Sequence, residues 1–168
     1  MMAGLCDVAG IVLLAYAAAH DLVARTVPNW TSFAIVLVAL PIRIAERDMA
    51  GAVAFSLFIF AVLALLWRLR MLGGGDVKLW AASSLLLQPS WSAEILSFYR
   101  VLLMGGVLAV LYLMMRGFCR GRNLKLAGTA GRALWKRAAH AELWRIRQGG
   151  SLPYAVAISA GMAIALWP

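Results

Sequence analysis

The stretch Met49-Ala50-Gly51-Ala52-Val53-Ala54-Phe55-Ser56-Leu57-Phe58-Ile59-Phe60-Ala61-Val62-Leu63-Ala64-Leu65-Leu66-Trp67 carries no charged side chain. A helix needs about 20 mostly apolar residues to cross a bilayer, with a lower limit near 17. The stretch therefore reads as a membrane helix, and five more apolar segments lie to either side. Two precede it, from about Leu5 to His20 and from near Pro28 to about Ile44. Three follow it: Gly74 to about Leu87, ahead of Gln88-Pro89; about Phe98 to Met115; and Leu152 to Trp167. Pro28 suits a first helical turn. The expected fold is an all-α integral membrane protein of about six transmembrane helices, with residues 1–168 forming one domain.

Composition agrees with that class. Of 168 residues, 64% are hydrophobic and 14% charged, whereas a soluble domain is about half apolar and one quarter charged. Cys6 and Cys119 form no CxxC pair, and His20 and His140 are too few and too distant for a metal cluster, so neither a metal nor a cofactor is expected. Ala17-Ala18-Ala19 resembles a signal-peptidase site, yet no Lys or Arg precedes the first apolar run, where a secretory signal has a positive region. That run is expected to be a retained helix.

The net charge of +9 is distributed unevenly. Segments 21–29, 68–78 and 116–151 fall on one side of the membrane and hold thirteen of the sixteen basic residues; Arg43, Arg47 and Arg100 fall on the other. Basic loops stay in the cytoplasm, so both termini are expected on the periplasmic side. Nucleic-acid binding is not expected, because topology already accounts for the charge. Within the cytoplasmic loop 116–151, Lys125, Arg132, Lys136 and Arg147 share one helical arc. Leu126, Ala130, Leu134, Ala138, Ala141 and Trp144 lie roughly opposite. An interfacial amphipathic helix on anionic lipid is expected there, with Arg145 interrupting its apolar face.

Chemistry concentrates at Met71-Leu72-Gly73-Gly74-Gly75-Asp76-Val77-Lys78-Leu79. Three glycines deliver a carboxylate to the start of an apolar segment, and such an acid marks function by default. The charge map puts Asp21 at the same membrane edge. Asp7, Glu46, Asp48 and Glu94 fall near the opposite face and Glu142 in the basic loop, leaving Asp21 as the acid that shares a level with Asp76. The plain alternative is that Asp21 pairs with Arg25 and Asp76 with Lys78. Two carboxylates sharing one proton can activate a water and protonate a leaving amine, which peptide hydrolysis requires. Gly73, Gly74 and Gly75 allow close backbone approach, suited to holding an extended substrate. No P-loop spacing and no G-x-S-x-G elbow occurs.

At these residues the chain resembles the intramembrane aspartyl proteases. Gly73-Gly74-Gly75-Asp76 matches their G-x-G-D signature, and Val77-Lys78-Leu79 resembles the continuation in the prepilin peptidase branch. Asp21-Leu22-Val23-Ala24-Arg25-Thr26-Val27-Pro28-Asn29 is similar to that branch's D-x-x-x-R-x-[IV]-P-N. Leu152-Pro153-Tyr154-Ala155-Val156-Ala157-Ile158 resembles the P-Y-G-x-A-I pattern of the last helix in short members, with Ala155 in place of Gly.

The nearest resemblance is to the short Tad/CpaA-type prepilin peptidases of Flp pilus systems. It implies a bacterial inner-membrane aspartic endopeptidase with Asp21 and Asp76 as catalytic residues. Gly73, Gly74, Gly75, Lys78, Arg25, Pro28 and Asn29 would shape the site or bind substrate. Substrates would be type IV-like prepilins and pseudopilins with a short basic leader and an apolar helix, cut at the cytoplasmic face. Larger members N-methylate the product through a cysteine-bearing region that this chain lacks, so no methyltransferase activity is expected. The rival readings are a non-catalytic scaffold of a pilus or secretion assembly and a small proton-coupled transporter.

Overall fold

The computed structural model describes residues 2–120, 141–146, 148 and 151–166. Among these, every regular element is helical: α1 Met2–Ala24, α2 Asn29–Ala45, α3 Met49–Arg68, α4 Gly74–Ser84, α5 Trp91–Arg120 and α6 Tyr154–Leu166. A short helical segment at 141–146 precedes α6. The six expected apolar segments thus correspond to six helices, with different limits. α1 and α5 run further in both directions than hydropathy suggests. α4 stops at Ser84, because Leu85–Leu87 turn on 3₁₀-type bonds ahead of Pro89. Pro28 lies just outside α2, as its extended N-cap, where its carbonyl accepts from both the Thr31 N–H and the Thr31 hydroxyl.

Among the described residues, three stretches are long and apolar enough to cross a membrane: Gly4–Ala24, Met49–Arg68 and Trp91–Phe118. The other three helices are shorter. α4 has 11 residues, a length of about 16 Å and roughly half the hydrocarbon thickness. Such a helix survives in an apolar setting only where protein encloses its ends. α4 is enclosed by α2, α3 and α6, and α6 in turn packs on α5 and α1. Leu79, Trp80, Ile158 and Met162 form the centre of the core, together with Leu14 from α1 and Ile35 from α2. Trp80 stacks on Phe98 of α5 at 4.9 Å.

Two serines tie neighbouring helices together through backbone carbonyls. The Ser159 hydroxyl donates to Leu14 O at 2.8 Å, joining α6 to α1; the Ser56 hydroxyl donates to Ala81 O at 2.8 Å, joining α3 to α4. Small residues permit the closest contacts, as is general for helices in lipid. A Cβ on Gly161 would fall 2.7 Å from the Val101 Cα, so α5 and α6 meet there backbone to backbone.

Three helices end at an arginine with positive φ: Arg25 (56°), Arg47 (56°) and Arg70 (61°). At the ends of α2 and α3 the bonds are those of a Schellman motif. Asp48 N–H reaches Arg43 O and Arg47 N–H reaches Ile44 O; Met71 N–H reaches Leu66 O and Arg70 N–H reaches Trp67 O. Glycine usually takes this position, since a side chain is strained there. The expected amphipathic helix from Lys125 to Arg147 lies mostly outside the described residues.

Candidate active site

Two helix ends meet at one place. Asp21 occupies the last turn of α1 and is buried, 7% exposed. α1 closes with Arg25 N–H bonding to Asp21 O at 2.9 Å, and the positive φ of Arg25 turns the chain toward α2. Asp76 occupies the first turn of α4, with Gly73 as its extended N-cap. Counting from that cap, Asp76 is the third helical residue. Its carboxylate doubles back toward the Gly73 backbone N–H, the return half of a capping box. A Cβ on Gly73 would lie 2.7 Å from Asp76 Oδ2. Glycine at position 73 therefore gives the carboxylate its resting place. The same construction on Gly75 meets Val27 Cβ at 3.2 Å. What approaches at Gly75 is the α1–α2 loop of the protein itself.

α6 completes the group. The backbone N–H of Ala155, one of the unpaired donors at the start of α6, faces the Asp21 carboxylate. Asp21 and Asp76 lie within electrostatic reach of each other. Two cavities, of about 590 Å³ and 330 Å³, share Asp21, Arg25, Gly73 and Asp76 in their walls. The larger extends past Arg70, Leu72, Ser151 and Tyr154; the smaller past Thr26, Asn29, Gly75 and Lys78. The two acids thus stand on a divide with open space on both sides. A peptide laid across that divide would keep residues on each side of the bond above the acids.

A sequence profile, that of the type IV leader peptidase family, matches residues 8–114. The chain belongs to the type IV leader peptidase family. Members are aspartic-type endopeptidases that remove prepilin leaders, and this chain is a membrane enzyme of that kind. No curated protein and no solved structure gave a match. The matched stretch contains both aspartate motifs and ends before α6 and the segment leading to it.

The alternative reading, in which each aspartate pairs with a neighbouring cation, is not what the described residues of this leader peptidase form. Arg25 does not pair with Asp21; its guanidinium donates to the Glu142 carboxylate and, through Nη1, to Ser151 O at 2.7 Å. Lys78 does not pair with Asp76; it donates to Asn29 Oδ1 at 3.2 Å, bracing α4 against the start of α2. Asp76 and Lys78 are two apart on α4, where side chains do not share a face, and Arg25 lies just past the last residue of α1 with a positive φ.

Glu142 also corrects the expectation that Asp21 alone shares a level with Asp76. Its carboxylate accepts from Arg25, from the Tyr112 hydroxyl of α5 and, at 3.2 Å, from Arg145. Arg145 reaches on to Leu22 O and Val23 O, the open carbonyls at the end of α1, where a cation is favoured. Nothing in the spacing of Tyr112, Glu142 and Arg145 announces this cluster. The one signal in the sequence is that Glu142 is the single acid of a basic loop. Of the other expected residues, Gly74, Gly75, Asn29 and Lys78 line the smaller cavity, while Pro28 lines neither.

Proposed function

We propose that Asp21 and Asp76 are the catalytic pair of this leader peptidase. The observation that carries the reading is that these two acids, from different helix ends, face the same two cavities. A water held between the carboxylates loses a proton to one of them as its oxygen attacks the scissile carbonyl carbon. The other carboxyl, protonated, gives its proton to the carbonyl oxygen. The tetrahedral gem-diol then collapses with cleavage of the C–N bond. The carboxyl that took the water's proton passes it to the leaving amine. One diol hydroxyl returns its proton to the other carboxylate, and the pair again shares one proton. Ala155 N–H and the first turn of α4 favour a carboxylate at each position.

The substrates are type IV-like prepilins and pseudopilins of Flp/Tad systems, each with a basic leader before an apolar helix. The enzyme spans the bacterial inner membrane with about six helices and cuts at the cytoplasmic face, next to anionic lipid. The charge bias favours this orientation: a reporter fused after Gly121 then reads cytoplasmic and one after Pro168 periplasmic. Gly73 seats Asp76, while Arg25, Asn29, Lys78, Gly74 and Gly75 shape the walls. A proton relay across the bilayer is disfavoured, since both acids lie at one end of the helix bundle.

The test is cleavage of a co-expressed prepilin by wild type, Asp21→Asn and Asp76→Asn, with membrane levels followed by blot. Both variants should insert and leave the leader on, and chelators should not slow the wild type. Normal processing by either variant would reject the pair; a wild-type enzyme stopped by chelator and restored by zinc would reject the mechanism.

A further inference from the structure

The contest for Arg25 has a functional consequence. Asp21 and Arg25 stand four residues apart at the end of α1, the spacing at which an acid and a base ordinarily pair on a helix. Arg25 lies within electrostatic reach of Asp21, and both side chains line the same two cavities. Yet the guanidinium is committed elsewhere, to Glu142 and Ser151 O, and among the described residues its buried Nε has no hydrogen-bond partner. Among the described residues, Asp21 makes no ion pair. The groups facing its carboxylate are Arg25, His20, Glu142, Asp76 and the Ala155 N–H. His20 is itself occupied, with Nδ1 on Thr26 O at 2.7 Å.

A carboxylate locked to a guanidinium keeps its charge and is a poor partner for sharing a proton. Arg25 bound to Asp21 would therefore stop the pair from cycling one proton between its members. Glu142 competes for the same guanidinium, and it is well held to do so, with Tyr112 donating to it from α5 and Arg145 from its own segment. Both partners of the Arg25–Glu142 pair are largely buried, with side chains 15% and 14% exposed. Removing the acid would leave a buried cation seeking a new partner, and Asp21, in the last turn of α1 just before it, is the nearest acid along the chain.

We propose that Glu142, held by Tyr112, draws the Arg25 guanidinium away from Asp21 and so keeps the aspartate pair able to share a proton. Glu142 is then a positioning residue for leader cleavage, supplied by a segment beyond the residues that match the family. The proposal rests on Asp21 and Asp76 being the catalytic pair.

The experiment uses the purified full-length enzyme in detergent with a prepilin substrate. It measures kcat and KM per folded molecule for wild type, Glu142→Gln, Arg25→Gln and the double variant. Glu142→Gln should lower kcat about tenfold or more with KM within about twofold, since the loss is in chemistry and not in binding. Adding Arg25→Gln removes the intruding cation, so the double variant should recover kcat at least about threefold over Glu142→Gln. A merely structural role for Glu142 would change the yield of folded enzyme and leave kcat per folded molecule alone. Glu142→Asp covers the case in which Glu142→Gln does not fold. It keeps the charge paired but shortens the reach, and its smaller kcat loss should also be relieved by Arg25→Gln. The proposal is overturned if Glu142→Gln cleaves like wild type, or if the double variant is as slow as Glu142→Gln. Failure of the catalytic-pair reading looks different: Asp21→Asn or Asp76→Asn would then cleave, whatever Glu142 does.

Discussion

α3 and α5 are unlike α4 and α6. The first two are long and built of large apolar side chains, and much of their surface is left uncovered: Leu57 is 61% exposed and Leu113 66%. The second two have 11 and 13 residues, rich in Gly, Ala and Ser; α4 is buried for most of its length, and α6 buries Ala155, Ala157, Ile158, Ser159, Gly161 and Met162. Lipid is the solvent for the outer pair, and protein is the solvent for the inner pair. Side-chain hydrophobicity therefore governs α3 and α5, while close fit and satisfied carbonyls govern α4 and α6. The proposed catalytic pair sits where fit governs. Asp76 opens α4, and the start of α6 faces Asp21.

The strongest challenge to this contrast is substitution of the acids beside substitution of an outer residue. Asp21→Asn and Asp76→Asn should each lower leader cleavage by about a thousandfold or more, since general acid–base groups contribute 10²–10⁴-fold. Quantitative processing assays with matched membrane levels would measure this, and near-wild-type rates would break the contrast at its root.

Gly73→Ala comes next. The backbone at position 73 is ordinary (φ −75°, ψ 144°), so alanine is tolerated there and the protein should accumulate normally. Its methyl, however, would lie 2.7 Å from Asp76 Oδ2 and push the carboxylate aside. A displaced catalytic group costs about a hundredfold in rate for roughly 1 Å, and a cleavage time course beside a blot would show it. Gly75→Ala should cost less, because the methyl presses on Val27 and not on the acid. Val27→Ala should relieve that loss, whereas a site shaped by substrate passage at Gly75 would give no relief.

Gly161→Ala sharpens the packing side of the comparison. Overfilling the α5–α6 contact should destabilise by about 1–3 kcal/mol, visible as a lower midpoint in a thermal scan of the detergent-solubilised enzyme. The smallest effect is expected on the outer surface: Leu113→Ala, facing lipid, should leave both cleavage and the midpoint unchanged. A large loss there would mean that α5 meets another protein at that face.

Several features were legible from residue order. The charge-free run 49–67 announced a membrane helix, and glycines before Asp76 with Pro-Asn after Asp21 marked the two motifs that converge. Helix ends were less legible. α4 ends early because Ser83 and Ser84 bond back to Trp80 O and Ala81 O before the chain turns ahead of Pro89, a local competition that hydropathy does not register.

Sequence by itself determined that this is a helical membrane protein with an acid at the end of its first helix and another at the start of its fourth, since the burial of apolar side chains is summed over many residues and survives local errors. Only the tertiary structure decided which cation meets which acid. Arg25 is four residues from Asp21 and 117 from Glu142, yet it binds Glu142. An ion pair depends on where two flexible side chains end, and here a single positive φ and the return of the chain before α6 set that outcome.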